Sequence, residues 1–345
     1  MIAPDWHEAR RSRVGCSELA ALFAPELVAV GYPPHRGPWS LWSEKAGRSE
    51  PAPRNGAQRL GQLLEDTVLE LTAGDLGCPV VPWSAFEFDG TAMVATEAAT
   101  GERIGSFRLP DHVEAVLTAH DGRRVWLLVH TSGLCGTPDA IAFPADGHGP
   151  VVVDAKTCGM HAFRAWRERE DDGTLGAAQL PAEYEFQGRG YMLLTGLSRA
   201  LFAAFRLPPE SPDHLLHLFW LQRERPVEHG IARRVARFLA SLPTDESPGV
   251  EPPLDPVLDA DAAHRRYGRH TEGRVIVAGP DLADLLTTLE TCKRAERTAR
   301  ERAETLIVQA LPLIGDAEVI RYGDKRATAR GMGSRRSVRV GGQWS

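Results

Sequence analysis

The sequence predicts a mixed α/β protein, in which a central mixed β-sheet is flanked by helices and followed by a C-terminal helical extension. Strand-like segments with turn signals between them dominate residues 80–156. Apolar residues recur at helical spacing in residues 56–72 and again in residues 282–307. Acidic and basic side chains stand at the ends of two of the predicted strands, so a chemical site is expected there.

Composition limits the function classes. The chain has 345 residues, of which 43% are hydrophobic and 25% charged, as in ordinary globular proteins. No apolar run reaches the roughly 18 to 20 residues of a membrane helix, and the N-terminus lacks the apolar core of a signal peptide. We therefore expect a cytoplasmic protein with no membrane association. The net charge of −6 weighs mildly against a protein that only coats DNA.

Cysteine usage excludes two further classes. The five cysteines are scattered and form no C-x-x-C pair, which argues against a disulfide scaffold, a zinc ribbon or an iron–sulfur protein. We expect reduced thiols.

Individual elements follow from local patterns. Ser17 is predicted to be the N-cap of a short helix, and Pro181 begins a helix that runs to Gly196. Another helix is predicted over residues 227–242. The predicted strands lie around residues 80–88, 103–109, 113–118, 125–131, 140–143, 151–156 and 214–222.

Two aspartates and a lysine form the central motif. Val151 to Val153 is an apolar run typical of a buried strand, and it leads directly into Asp154 and Lys156. Because side chains alternate along a strand, these two residues share a face. Asp139 begins another short apolar strand, and a hairpin would bring it beside Asp154. Converging carboxylates suit Mg²⁺, with Mn²⁺ as the alternative.

Glu65 lies on the predicted helix of residues 56–72, one turn after Gly61. A glycine there leaves room for a metal or a DNA backbone, and Glu65 would then join the aspartates. The alternative is tight packing of the helix at Gly61, with Glu65 a solvent-facing residue. Taken without the other residues, the two interpretations carry equal weight.

Together these residues resemble the PD-(D/E)xK nuclease core, and the flanking motifs resemble the lambda exonuclease and YqaJ-type viral recombinase family. Three flanking segments carry the likeness: Trp6-His7-Glu8-Ala9-Arg10 through Gly15-Cys16-Ser17-Glu18; Leu41-Trp42 with Glu44-Lys45-Ala46-Gly47; and Pro181-x-x-Tyr184-x-x-Gln187 with Tyr191 and Gly196. The resemblance extends in order through most of the chain, including Pro252-Pro253-Leu254-Asp255 and Gly315-Asp316-Ala317-Glu318.

The resemblance implies a role for each residue. Asp139, Asp154 and Glu65, with the carbonyl of Ala155, would bind the metal. Lys156 would act on the attacking water, and Gln187 would help to position these groups. Arg10 and Ser17 would capture a 5′-phosphate at the DNA end; the ordinary alternatives are a helix cap for Ser17 and a solvated face for Arg10.

Tyr191 is a candidate DNA contact, although core packing is the more frequent role of such a tyrosine. Composition and apolar periodicity predict a linker (244–280) and a long amphipathic helix with a basic tail (281–345). The resemblance makes the part before them (1–243) an exonuclease core with an N-terminal DNA-end-binding segment.

The expected function is a Mg²⁺-dependent exonuclease that digests linear double-stranded DNA, in the 5′ to 3′ direction, and leaves 3′ overhangs for phage-type recombination. A single-strand annealing protein as partner and a homo-oligomer, a trimeric ring, are expected from the resemblance. Two alternatives remain open: an endonuclease of restriction or defence type, and a recombination accessory protein that binds DNA without cutting it.

Overall fold

The structure is a computed structural model that describes most of the chain. The chain divides into two compact units, residues 1–269 and 270–345. The described residues are 5–53, 55–97, 100–120, 123–159, 163, 166–169, 175–208, 215–268, 274–315, 319–322, 325–332 and 335–341.

The first unit begins with helical segments. In chain order these elements are α1 (Trp6–Arg11), β1 (Val14–Gly15), a 3₁₀ turn (Cys16–Glu18), α2 (Leu19–Leu22), α3 (Ala24–Ala29), α4 (Pro38–Lys45) and α5 (Gly56–Leu76). Asn55 caps α5 through a reciprocal pair of 2.9 Å hydrogen bonds with Gln58, and Gly77 ends the helix at a φ of 60°. The helix predicted from residue 56 is therefore confirmed and runs four residues further than the pattern indicated.

Strands follow α5, as predicted, and there are more of them than the sequence patterns indicated. They are β2 (Val80–Pro82), β3 (Phe86–Phe88), β4 (Ala92–Thr96), β5 (Arg103–Arg108), β6 (Val113–His120), β7 (Arg123–His130), β8 (Leu134–Gly136), β9 (Ala140–Ala142), β10 (Val151–Gly159), β11 (Arg167–Arg169) and β12 (Leu175–Ala178). The unit continues with α6 (Ala182–Thr195), β13 (Arg199–Leu207), β14 (Leu216–Gln222), α7 (Arg225–Ala240) and α8 (Ala260–Tyr267). The sequence patterns did not indicate β1, β4, β8, β11, β12 or β13.

The central sheet has the order β14-β13-β10-β9-β2. Its middle strand, β10, runs parallel to β13 and antiparallel to β9, so the sheet is mixed as expected. Val151 and Val153 pack with Leu69 of α5, whereas Val152 packs with Met192 of α6. The two helices therefore cover opposite faces of the sheet, and the alternation of side chains along β10 decides which residues meet which helix.

Three smaller sheets complete the described strands of the first unit. Their orders are β1-β8-β7-β6, β3-β4-β5 and β11-β12. Val14 and Gly15 of β1 pair with Leu134 and Cys135 of β8 in parallel. This pairing anchors the N-terminal segment beside the residues that precede Asp139.

Asp259 links α4 to a segment far along the chain. Its Oδ1 accepts hydrogen bonds from the amide nitrogens of Gly37 (3.1 Å) and Ser40 (3.0 Å), and from the Ser40 hydroxyl (2.5 Å). Gly37 is the N-cap position of α4 and offers no side chain of its own. The buried Asp259 carboxylate therefore acts as the helix cap from 222 residues away. Asp259 lies within the stretch predicted as a linker.

The second unit contains α9 (Pro280–Ile314) followed by β15 (Val319–Tyr322), β16 (Lys325–Met332) and β17 (Arg335–Gly341). The three strands form an antiparallel sheet in chain order. The long helix was predicted. The basic segment that follows it was predicted only as a tail, whereas the structure forms three strands there. Within the described residues, no helix combines the length and apolar character that crossing a bilayer requires.

We predict that Asp259→Ala lowers the free energy of unfolding by about 2 to 3 kcal/mol, because three donors of α4 lose their acceptor in a buried place. Asp259→Asn, which keeps one acceptor oxygen, should cost less. Chemical denaturation of the full chain measures both values. Asp261→Ala, two residues away and exposed, is the control and should change stability by less than about 0.5 kcal/mol. Equal effects at the two positions would contradict the cap.

Candidate active site

The pairing of β9 with β10 brings Asp139 next to Asp154. Val153 faces Ala140 in the antiparallel register, so the next pair of positions is Asp154 and Asp139. The hairpin expected from the sequence is therefore confirmed. Asp139 is fixed there because its Oδ2 accepts a hydrogen bond of 2.8 Å from the amide of Ala155.

Lys156 lies on the same side of β10 as Asp154, as side-chain alternation predicts. Its Nζ is 2.7 Å from Asp154 Oδ1, and it lies 5.3 Å from the ring centre of Tyr184 and 5.8 Å from that of Phe202. Burial opposes the charge of Lys156, but the carboxylates of Asp154 and Asp139 outweigh it and raise the pKa of the lysine. Lys156 is therefore held as a cation.

The two aspartates carry more negative charge than Lys156 balances. Burial raises the pKa of Asp139 well above its ordinary value, and the charge of Asp154 adds to this effect. Asp154 is only 1% exposed, and its Oδ2 has no hydrogen-bond donor among the described residues. A buried carboxylate oxygen without a donor, beside a second carboxyl group, is a site that a cation would stabilise.

Glu65 approaches this pair from the α5 side of the sheet. A Cβ at Gly61 would meet Thr157 Oγ1 at 3.2 Å, and Leu69 contacts the beginning of β10, so α5 runs against β10 with Glu65 level with Ala155. The tight-packing interpretation of Gly61 is the one that this contact supports. Glu65 is nevertheless half-buried, and burial and the charge of Asp154 raise its pKa.

The carboxylates do not form a complete metal cage. In the part of the chain that the structure describes, no three His, Cys, Asp or Glu side chains converge closely enough to hold a metal ion by themselves. Mg²⁺ is commonly held by one or two carboxylates and completes its shell with water and substrate phosphate. The pair Asp139 and Asp154, with its undonated oxygen, fits an ion of that kind.

Gln187 and Tyr191 lie behind the aspartates on α6. Gln187 is buried, and its Nε2 donates a hydrogen bond of 3.0 Å to the hydroxyl oxygen of Tyr191. Burial raises the pKa of Tyr191, and the charge of Asp154 is the next cause. At 5% exposure Tyr191 belongs to the core, so the structure favours the packing role over the DNA contact.

Arg10 and Ser17 lie in the N-terminal segment. The Arg10 guanidinium stacks on the Trp6 ring at 4.3 Å and covers Gly15, where a Cβ would collide with it. Ser17 is exposed, but it stands inside the 3₁₀ turn and does not cap α2. The N-cap prediction was therefore wrong, because the turn starts one residue before Ser17 and Glu18 takes the position preceding α2.

Glu18 is a functional candidate that the sequence reasoning missed. Its carboxylate is buried and accepts a hydrogen bond of 2.7 Å from the Gly15 amide. Lys45 lies 2.9 Å from it, Arg36 3.2 Å and Arg10 4.0 Å. We call Arg10, Arg36 and Lys45 around Glu18 the N-terminal basic cluster. Glu18 and Lys45 both occur in the family-like motifs, which was the available signal.

Close packing connects the N-terminal basic cluster with the aspartate pair. Cβ atoms built at Gly136 and Gly190 would lie 2.8 Å and 2.9 Å from Cys16 Sγ. The Gly136 position would also meet Tyr191 at 3.0 Å. Cys16, which precedes Ser17, therefore packs directly against α6 at the level of Tyr191. Only glycine permits this approach at either position.

No protein-family model matches the chain, and no curated protein matches it. Among solved structures, the chain is similar to an alkaline exonuclease (LHK-Exo) from Laribacter hongkongensis, with 16% identity, a TM-score of 0.40, and coverage of 68% of this chain and 90% of that one.

A phage-related exonuclease from Haemophilus somnus 129PT is a second similar structure. Its identity is 11% and its TM-score 0.35, with 66% of this chain and 93% of that chain covered. At these values the assignment of a function rests on the geometry of the site.

We predict that Glu18→Gln destabilises the protein by about 3 kcal/mol at neutral pH, because three cations lose the buried charge between them. Burial works against ionisation of Glu18, but Lys45, Arg10 and Arg36 outweigh it, so its folded-state pKa lies below the ordinary value of 4.5. The stability that its charge provides is therefore present above pH 4.5 and lost as the pH falls through the folded-state pKa.

Urea denaturation of both proteins over a pH series measures this difference. It should shrink steadily below about pH 4.5. Glu8→Gln, at an exposed position of α1, serves as the control. A Glu18 difference that does not change with pH would contradict the electrostatic role.

Proposed function

We propose that this chain is a metal-dependent DNA exonuclease with a PD-(D/E)xK core, which hydrolyses phosphodiester bonds of linear double-stranded DNA from the 5′ end and leaves 3′ overhangs. The observation that carries the proposal is the group of Asp139, Asp154 and Lys156. The buried Oδ2 of Asp154 has no donor in the part of the chain that the structure describes, and the Lys156 ammonium lies 2.7 Å from Oδ1 of the same carboxylate. This combination suits hydrolysis of a phosphodiester.

Asp139 and Asp154 would hold Mg²⁺, or Mn²⁺ in its place, with the carbonyl of Ala155 as a further ligand and Glu65 joined through water. When bound, the ion would lower the pKa of a coordinated water and neutralise the charge that develops on the phosphate. Glu65 suits binding to the ion through water, because it lies on the α5 side of β10 whereas Asp154 lies on the α6 side.

Lys156 would direct the attacking water or stabilise the developing negative charge. Asp154 and Asp139 keep the ammonium charged, and the faces of Tyr184 and Phe202 restrict where it can go. The hydrogen bond from Gln187 to Tyr191 orders the residues behind the aspartates. Gln187 is therefore a positioning residue in this proposal.

The N-terminal basic cluster would bind the 5′-phosphate of the DNA end. It brings together three cations and an exposed hydroxyl, that of Ser17, while the carboxylates of Glu18 and Glu44 neutralise only part of its charge. Arginine grips phosphate through two parallel hydrogen bonds. Because Cys16 packs against the Tyr191 region, an end bound at Ser17 would lie near the metal-binding aspartates, which favours an exonuclease over an endonuclease.

The wider setting follows from the family resemblance. We propose that a single-strand annealing protein takes up the 3′ overhang, that the chain acts in phage-type recombination as a trimeric ring around duplex DNA, and that this takes place in the cytoplasm. These proposals are separate from the chemistry of the site.

We predict that Lys156→Ala and Asp139→Asn each lower the rate of DNA digestion by at least about a thousandfold, since each removes a group acting on the reacting phosphate. Folding of Asp139→Asn should persist, because this substitution relieves repulsion between two carboxylates. Asp66→Asn, on the exposed face of α5 beside Glu65, should keep full activity.

Metal binding gives an independent readout of the same variants. Mg²⁺ should raise the thermal midpoint of the unmodified protein and should no longer do so in Asp139→Asn. Digestion is measured on linear and covalently closed circular duplex of the same sequence, with Mg²⁺ and with EDTA. Loss of the linear form alone supports the exonuclease. Cutting of both forms would make the chain an endonuclease, and cutting of neither would leave a DNA-binding protein.

We predict that a 5′-phosphate accelerates digestion of blunt linear duplex, and that Arg10→Ala removes most of this acceleration, which we expect to be about tenfold or more because one charge-assisted contact contributes about 1.5 to 3 kcal/mol. Arg11→Ala, the exposed neighbour on α1, is the matched control and should keep the preference. Initial rates on phosphorylated and dephosphorylated ends measure the effect. An unchanged preference in Arg10→Ala would assign the end contact to other residues.

A further inference from the structure

Helix α9 carries an apolar stripe at the spacing of a coiled coil. Positions separated alternately by three and four residues are Leu282, Leu285, Leu289, Cys292, Glu296, Ala299, Ala303, Leu306, Ala310 and Leu313. All except Glu296 are apolar, over nearly five heptads. A repeat of this kind keeps one stripe facing a neighbouring helix along its whole length.

The stripe is exposed. Leu285 is 68% exposed, Leu289 49% and Leu313 89%, and none of the residues of α9, all of which the structure describes, is buried. The opposite face has its own ion pairs, Arg294 with Glu290 at 2.9 Å and Arg297 with Glu301 at 3.0 Å. The charged face is therefore suited to water, and the leucine face to a partner.

We propose that α9 pairs in antiparallel orientation with α9 of a second copy of this chain, in the register that places Leu282 against Leu313 of that copy. In this register Leu289 faces Leu306, and two larger residues meet small ones: Leu285 faces Ala310, and Cys292 faces Ala303. The helices overlap completely. This pairing goes beyond the proposed nuclease function and does not depend on it.

Glu296 decides the orientation. In a parallel pair in register, it would meet its own copy inside the seam, where two like charges repel. In the antiparallel register it faces the small Ala299 of the second copy instead. Arg300 of that copy then lies about one residue, or 1.5 Å, away along the axis. Because the antiparallel pair is two-fold symmetric, the contact between Glu296 and Arg300 of the other copy occurs twice. These charges therefore favour the antiparallel orientation.

The available area suits a second copy of α9. Complete burial of one leucine removes roughly 100 Å² of apolar surface. The five leucines of the stripe, with the smaller residues between them and the adjacent Leu286, would thus bury about 1,200 Å² over both helices, the lower limit of specific interfaces. A concentration-dependent association of moderate affinity is expected.

The mass of the full-length protein in solution, measured by sedimentation over a range of concentrations, tests the association. Leu289→Glu should halve the mass seen at high concentration, because it buries a charge against Leu306 of the second copy. If the first unit is monomeric, the substitution separates a dimer; if it forms the proposed trimeric ring, the substitution separates two rings joined by three helix pairs, so the expected factor is two in both cases. Thr298→Glu, which adds the same charge on the outer face, should leave the mass unchanged. If the unmodified protein and Leu289→Glu have the same mass at every concentration, the proposal is wrong and the stripe packs elsewhere.

Cysteine cross-linking tests the orientation. Cys292 is exposed, whereas Cys16, Cys135 and Cys158 are buried and Cys78 is half-buried. In the antiparallel register the two Cys292 residues lie about 16 Å apart along the axis, beyond the roughly 4.4 to 6.8 Å between α-carbons that a disulfide spans.

The unmodified protein should therefore give no disulfide-linked dimer with copper phenanthroline as the oxidant, and Ala303→Cys should give one by joining to Cys292 of the second copy. Within one helix residues 292 and 303 are equally far apart, so this dimer reports pairing between chains. Thr298→Cys is the negative control. A Cys292-linked dimer of the unmodified protein would show a parallel pair and overturn the proposed orientation.

Discussion

The register between β9 and β10 is the constraint on which the candidate site depends. It places two carboxyl groups side by side directly after the buried apolar residues of β10, where their mutual repulsion is unfavourable. The apolar residues Val151 to Val153, packed on both faces by α5 and α6, stabilise the sheet against this repulsion. A shift of one residue would send Asp154 to the other face. The same packing that builds the core therefore fixes the geometry of the candidate site.

Helix α6 contacts both the central sheet and the N-terminal segment, and so connects them. It carries Tyr184 against Lys156, Gln187 against Tyr191, and Gly190 against Cys16. A single rigid helix thus contacts the groups proposed for catalysis and the turn that holds Ser17. In the proposed function, the distance between end recognition and bond cleavage would be set by this helix rather than by a flexible loop.

Strong local signals made part of this molecule predictable. The capped and periodic residues of α5, the run from Val151 and the hairpin with Asp139 were all read from the sequence. By contrast, β13 is rich in alanine, which suits helix as well as strand, and its pairing with β10 is visible only in three dimensions. The dense arginines of residues 321–339 obscured the strands there. Glu18 could not be recognised as a buried charge, because Arg36 and Lys45 meet it only after folding.

The cap that Asp259 provides for α4 has a consequence for synthesis on the ribosome. The amides of Gly37 and Ser40 emerge 222 and 219 residues before their acceptor. The beginning of α4 therefore lacks its cap until almost all of the first unit has been translated. Lys45, at the other end of α4, contacts Glu18, so the proposed end-binding cluster is completed late. A nascent chain that is released early would carry the aspartate pair and Lys156 without a settled place for the DNA end.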